Sequence, residues 1–234
     1  GCRCMFAGKK SVFLYLCHLA SPGFIKLCIL SHLQPARADS TWLTELPSNG
    51  RQMLHENPAP AALIRKFLPE IKQAVKQGRV LDLACGNGRN GLFLLAHNLP
   101  VVFADKNAAA LETISQRAAL IPAEAECWKV DLEVPGEQPL DGHEFEVILV
   151  FNYLHRPLIP SIKQCLAPGG LLLYETFTEK QAAIGRPRNP DFLLKMAELR
   201  NWFGNWEVLH SFEGHNTDPE KHFANIVARK PAKA

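Results

Sequence analysis

The run Val80-Leu81-Asp82-Leu83-Ala84-Cys85-Gly86-Asn87-Gly88-Arg89-Asn90-Gly91 carries an apolar strand into a glycine turn and on into a helix. Glycines lack a Cβ, so backbone N–H groups there can approach a ligand closely, and the N-terminus of the next helix offers further donors. The following apolar run, Val101-Val102-Phe103-Ala104, ends at Asp105. An acid about twenty residues past the turn, at the end of a second strand, is placed to grip a ribose diol in this architecture. The pattern calls for a nucleotide-type cofactor.

Two cofactors fit the glycines. Gly86-x-Gly88-x-x-Gly91 satisfies the dinucleotide fingerprint literally, which makes NAD a candidate. Asp82, however, lies inside the strand, four residues before the first glycine. A carboxylate facing the mouth of such a site holds an ammonium group, which S-adenosylmethionine has. A dinucleotide pyrophosphate in the same place would meet like-charge repulsion.

Around this centre the chain alternates. Leu63, Phe67, Ile71 and Val75 form the buried stripe of a helix capped by Asn57-Pro58, and Pro69 inside it should kink or split it. A helix over 89–98, a strand over 101–104, a helix over 108–118 and a strand over 123–130 ending at Asp131 follow. Phe145–Phe151 is unbroken apolar sequence, as expected of a strand covered on both faces. Pro157 opens a helix with Leu158, Ile162, Cys165 and Leu166 inward. Pro168-Gly169-Gly170 turns into a strand over 171–174, and Asn189-Pro190 caps a last helix bearing Phe192, Leu199, Trp202 and Phe203. Strands over 206–212 and 222–229 close a hairpin around a polar loop, 213–220. The expected fold is α/β: a doubly wound, Rossmann-like sheet of seven mostly parallel strands, with an antiparallel strand in its C-terminal hairpin and helices on both faces. Dinucleotide dehydrogenases usually continue into a substrate domain, and the hairpin ending favours the S-adenosylmethionine reading.

Composition narrows the classes. The 234 residues are 47% hydrophobic and 21% charged with a formal net charge of +3, ordinary for a globular protein and too weakly basic for a nucleic-acid footprint. Seven cysteines without a C-x-x-C pair indicate neither a zinc site nor a disulfide framework, and a cytoplasmic protein is expected. Residues 1–40 differ from the rest. Arg3, Lys9 and Lys10 precede an apolar stretch, and Ala36-Arg37-Ala38 has the outline of a cleavage site, but Pro22, Gly23 and Lys26 interrupt the run. They read as an extraneous or poorly packed extension rather than a membrane anchor, with the working domain over 41–234.

Read from Asp82, the motif Asp-x-Ala-x-Gly-x-Gly resembles the signature of class I S-adenosylmethionine-dependent methyltransferases, with Ala84 in place of a glycine. Together with Ala104-Asp105-Lys106-Asn107, Val130-Asp131-Leu132, Glu198-Leu199-Arg200, Trp206 and Phe223-Ala224, it is similar in particular to the tellurite-resistance methyltransferases. The resemblance covers about residues 55–230. It implies S-adenosylmethionine as cofactor and S-adenosylhomocysteine as product. Asp82 would then orient the methionine ammonium, Asp105 the ribose hydroxyls, and Asp131 with the Leu132 backbone the adenine edge. Ala84, Gly86, Gly88, Asn90, Lys106 and Phe151 complete the expected cofactor residues. In that family a histidine followed by arginine near the last hairpin serves chemistry; here His215 matches and Asn216 replaces the arginine.

The acceptor side is expected beyond the carboxyl ends of the later strands. His155 is the candidate base, Tyr153 a wall or hydrogen-bond donor, and Arg186 and Arg188 a clamp for an anion, with His215 joining them. Glu175 and Thr176 stand at the end of the fifth strand and could line the same cleft. The functional expectation is methyl transfer to a small molecule, anionic or chalcogen-containing, with no nucleic acid or membrane partner. The alternatives are an NAD(P)-dependent oxidoreductase and a non-catalytic S-adenosylmethionine-binding protein.

Overall fold

The structure, a computed structural model, describes residues 59–232. Expectations for residues 1–40, and for the Asn57-Pro58 cap, lie outside the described residues. Seven strands form one sheet: β1 (Val80–Leu83), β2 (Val101–Asp105), β3 (Ala125–Lys129), β4 (Phe145–Phe151), β5 (Leu166–Phe177), β6 (Glu207–Thr217) and β7 (Glu220–Arg229). Their spatial order is β3-β2-β1-β4-β5-β7-β6, with β1 to β5 parallel and β7 antiparallel to both β5 and β6. This is the doubly wound arrangement expected. The order reverses between β1 and β4, which opens a crevice at their carboxyl ends.

The pleat sorts the core. On one face Val80, Phe103, Leu149 and Leu173 pack beneath α1 (Ala62–Lys66), α2 (Leu68–Ala74), α3 (Arg89–Leu95) and α4 (Ala108–Ala118). On the other, Leu81, Val102, Ile148 and Leu172 meet α5 (Ile159–Cys165) and α6 (Glu198–Phe203). Pro69 splits the first helix as expected: Phe67 leaves helical geometry at φ −104°, ψ 18°, and Pro69 occupies the first turn of α2. No helix among the described residues is long and apolar enough to cross a membrane.

Three segments depart from the sequence reading. β5 begins at Leu166 rather than after the glycines, because Phe145 pairs with Leu166 and Val147 with Leu171. The Pro168-Gly169-Gly170 turn becomes a bulge, with Gly169 at φ +76°. Lys230 Nζ reaches the carbonyls of Lys163 (2.7 Å), Gln164 (3.3 Å) and Leu166 (2.5 Å) and closes the end of α5.

The continuous last helix does not form. A 3₁₀ turn, Pro190–Phe192, stands apart from α6, and Phe192 is 49% exposed. The cause is Arg156, whose guanidinium binds the carbonyls of Asp191 (3.0 Å) and Leu193 (2.8 Å), groups an unbroken helix would use internally. The same group also pairs with both oxygens of Glu198, at 2.7 and 2.9 Å.

The polar loop 213–220 is mostly strand. Asn216 Nδ2 donates to the carbonyls of Asp218 (2.7 Å) and Pro219 (3.1 Å), which tightens the turn so that β6 and β7 pair out to Thr217 and Glu220.

Candidate active site

A cleft of about 180 Å³ opens where the strand order reverses, lined by Ala84, Asp105, Lys106, Asp131, Leu132, Glu133 and Tyr153. Its floor is the turn after β1. Ala84, Gly86 and Gly88 all take left-handed backbone, at φ +52°, +56° and +71°. Gly91 follows in α3, where a Cβ would lie 2.4 Å from Phe103 Cε1 and 2.8 Å from Asp82 Oδ2. The glycine is therefore what lets α3 sit down on β1 and β2.

Asp105 is half-buried at the end of β2 and already fixed. Its Oδ2 accepts the Gly86 N–H (2.8 Å) and its Oδ1 the Asn107 N–H (2.8 Å). Each oxygen keeps a lone pair, so a diol can be taken without moving the side chain. Asp131 is held likewise, its Oδ1 accepting the Glu133 N–H at 3.0 Å, while Leu132 beside it is buried.

Asp82 sits deeper, beneath the turn and 2% exposed, with Oδ2 accepting the Gly91 N–H at 2.9 Å. Burial pushes its carboxyl up to about 7, partly opposed by that N–H and by the Arg89 charge. A buried carboxylate of this kind asks for a cation. These acceptors, the turn and the cleft fit an adenosyl cofactor carrying a diol and an ammonium group.

The remaining expected residues are dispersed. Asn90 is buried and its Oδ1 accepts the Ala61 N–H at 3.0 Å, which joins α1 to α3. Phe151 is a core residue at the end of β4. Lys106 is exposed and pairs with Glu133 at 3.6 Å. Tyr153 lines the cleft, and burial together with the Glu133 charge raises its hydroxyl well above the usual phenol range.

His155 precedes a 3₁₀ turn, Arg156–Leu158, and its side chain makes no capping bond. Arg186 and Arg188 are exposed on the loop before the Pro190 turn, and their guanidinium groups make no ion pair or hydrogen bond among the described residues. His215, expected in a loop, lies in β6 opposite His222 of β7, with ring centroids 4.5 Å apart and Nε2 3.5 Å from Glu220. No hydrogen bond or ion pair among the described residues links these histidines or loop arginines to the cleft.

Sequence reasoning missed Glu133, whose only signal is its place two residues after Asp131. It also missed Arg156, Lys221 and Asn225. The single polar residue interrupting the apolar run Phe223–Ala228 was the available hint for Asn225.

Residues 64–222 match the model of the family "Tellurite resistance protein TehB", more than half of the chain. The chain belongs to the TehB family. Among its relatives, "Hemagglutinin 1" of Eikenella corrodens is 27% identical over 69% of this chain and 58% of that protein. TehB of Haemophilus influenzae, named there "Probable S-adenosyl-L-methionine-dependent methyltransferase TehB", is 27% identical over 65% of this chain and 57% of its own length. The crystal structure of that TehB superposes with a TM-score of 0.57 at 20% identity, covering 73% of this chain and 63% of the other, which speaks to the fold. "Trans-aconitate 2-methyltransferase" of Variovorax paradoxus is 36% identical over 49% of this chain and 42% of that enzyme. The chain thus spans little more than half the length of the curated relatives it first matches. The TehB-family domain described here is a class I methyltransferase, with S-adenosylmethionine as its cofactor. The dinucleotide alternative does not survive that assignment.

Proposed function

We propose that this TehB-family protein methylates a small anionic or chalcogen-containing acceptor. The observation that carries the reading is the pair Arg186 and Arg188, two guanidinium groups left unpaired on the loop that follows β5. Neighbouring guanidinium groups without an intramolecular partner suit a carboxylate or oxyanion. Arg156 supports the arrangement from below by clamping the Asp191 and Leu193 carbonyls next to that loop. Two names among the comparisons agree with this, one a tellurite resistance protein and one an enzyme of trans-aconitate, a carboxylate.

Bound S-adenosylmethionine supplies a methyl group on a sulfonium, open to in-line displacement. The protein's own part is alignment and exclusion of water. Asp105 would hold the ribose hydroxyls through the lone pairs its backbone bonds leave free, and Asp82 the ammonium. Asp131 and the Leu132 backbone would hold the adenine edge. Ala84, Gly86 and Gly88 bring backbone close, and Lys106 with Glu133 borders the slot. Tyr153 walls the cleft toward the acceptor. Where the nucleophile arrives protonated, His155 is the first candidate to take the proton and His215 the second. The cytoplasm is the compartment this reading expects, consistent with free Cys85, Cys127 and Cys165.

The test is transfer of labelled methyl from S-adenosylmethionine to tellurite, selenite, trans-aconitate and mercaptoacetate. Wild type, Asp105→Ala and the Arg186→Ala/Arg188→Ala pair are compared, with cofactor affinity measured by calorimetry. Asp105→Ala should lose cofactor binding. The arginine pair should keep cofactor binding and lose acceptor turnover. Cofactor binding without transfer to any of the four acceptors would instead support a binding protein.

A further inference from the structure

A buried polar cluster stands at the carboxyl end of β5, outside the cofactor residues. Along the β5 face that packs under α1 to α4, Leu173 is followed at the next inward position by Glu175, and Val227 of β7 is preceded by Asn225. Glu175 is 8% exposed and Asn225 6%. Lys221 Nζ donates to Glu175 Oε1 at 2.8 Å and lies 4.0 Å from the centre of the Phe223 ring. Asn225 Nδ2 donates to Glu175 Oε2 at 3.0 Å. That bond fixes the amide, because a flip would set two acceptors against each other. Asn225 Oδ1 is enclosed without a close hydrogen-bond partner, and the Asn225 side chain also acts on the His210 ring of β6 beside it.

A purely structural account of this cluster is poor. Apolar residues would fill the two strand positions without the desolvation that a buried ion pair demands. Position is informative as well. Glu175 pairs in register with Phe151, and its carbonyl accepts the N–H of Asn152, where β4 leads into Tyr153 and His155. It stands two strands from β1, about 10 Å by the ordinary strand spacing. The cofactor acids Asp82, Asp105 and Asp131 are on or after β1, β2 and β3. Glu175 is thus a prepositioned carboxylate at the carboxyl end of β5, across the strand-order reversal from Asp105 and Asp131, with two of its roughly four lone-pair sites used.

We propose that Glu175, held in place by Lys221 and Asn225, accepts a hydrogen bond from an S–H, O–H or N–H group of the methyl acceptor. The preferred acceptor is then a small acid that also carries such a donor. The acid half of this statement rests on the small-anion reading above, and the donor half does not.

The experiment titrates protein saturated with S-adenosylhomocysteine, followed by NMR, with mercaptoacetate (acid and donor), acetate (acid only) and ethanethiol (donor only). Wild type should bind mercaptoacetate about tenfold tighter than acetate, the value of one hydrogen bond to a charged group. Glu175→Leu removes every side-chain acceptor and should bring the two acids together while leaving S-adenosylhomocysteine affinity unchanged. Lys221→Met keeps the carboxylate but removes one of its two anchors, and should leave a preference smaller than in wild type and larger than in Glu175→Leu. Equal binding of the two acids by wild type overturns the Glu175 assignment and leaves the small-anion reading standing. A preference that survives in Glu175→Leu overturns the assignment too. Binding of ethanethiol without either acid supports Glu175 and removes the small-anion reading. Binding of none of the three overturns both. The wild-type comparison decides even where a variant folds poorly.

Discussion

Replacing Asp82 by Asn should make the protein more stable and less able to bind its cofactor, in a pH-dependent way. Asp82 is enclosed between β1 and the start of α3, and its Oδ2 accepts the Gly91 N–H. Burial carries its carboxyl from 3.8 to about 7. The folded protein therefore keeps this proton up to about pH 7, whereas the unfolded chain releases it near pH 4. Stability is lost as pH rises through that window, and the loss is complete above it. The ceiling is about 4 kcal/mol, at ~1.36 kcal/mol for each tenfold change in proton affinity. Asn offers the same acceptor to Gly91 and carries no charge. At pH 8 it should raise Tm by up to roughly 10 °C, and at pH 4.5 the gain should shrink to about a quarter of that. Cofactor affinity should move oppositely: in wild type it rises with pH through about 7 as the carboxylate ionises to meet the ammonium, and in Asp82→Asn that rise disappears. Thermal denaturation at the two pH values, with calorimetric titration of S-adenosylmethionine, reads both effects. An Asn variant no more stable than wild type at pH 8, or stabilised equally at both, refutes the reasoning.

Ala84→Gly should stabilise the protein by about 0.5–1 kcal/mol in denaturant titration, since Ala84 sits at φ +52° where a Cβ is strained; a loss of stability would contradict the assigned conformation. Gly91→Ala should cost about 1–3 kcal/mol by overpacking against Phe103, and S-adenosylmethionine affinity should fall with it because the added Cβ also displaces Asp82; an unchanged affinity would separate Asp82 from the cofactor. Arg156→Lys cannot reproduce the paired contacts to Glu198 together with the Asp191 and Leu193 carbonyls. It should cost about 1–2 kcal/mol and speed amide exchange over residues 186–196, with the rest of the sheet unaffected.

Much of the architecture was legible because strand and helix periods are local. The unbroken run Phe145–Phe151 and the helix Ala108–Ala118 form with the bounds expected, and Pro69 splits its helix through its own ring. The residues expected to hold the cofactor come together for a related reason. A strand, a glycine turn and an acid ending the next strand lie within about 25 residues, so their spacing alone brings them to one crevice. The failures share a cause. The helix expected over 190–203 is broken by an arginine more than 30 residues earlier, which takes its carbonyls. The 213–220 loop is converted to strand by Asn216 folding back on its own turn.

What the sequence determined by itself is the alternation of elements, the sheet they build and the crevice with its glycine turn and strand-end acids, because each depends on neighbours in the chain. Tertiary structure decided the rest. It buried Asp82 and so shifted its carboxyl, it took Asn90 into a helix contact, and it set His215 against His222. It also assembled Glu175, Lys221 and Asn225 from two strands about 50 residues apart in sequence. Burial and hydrogen-bond partnership depend on which elements pack against a side chain, and no local pattern carries that information.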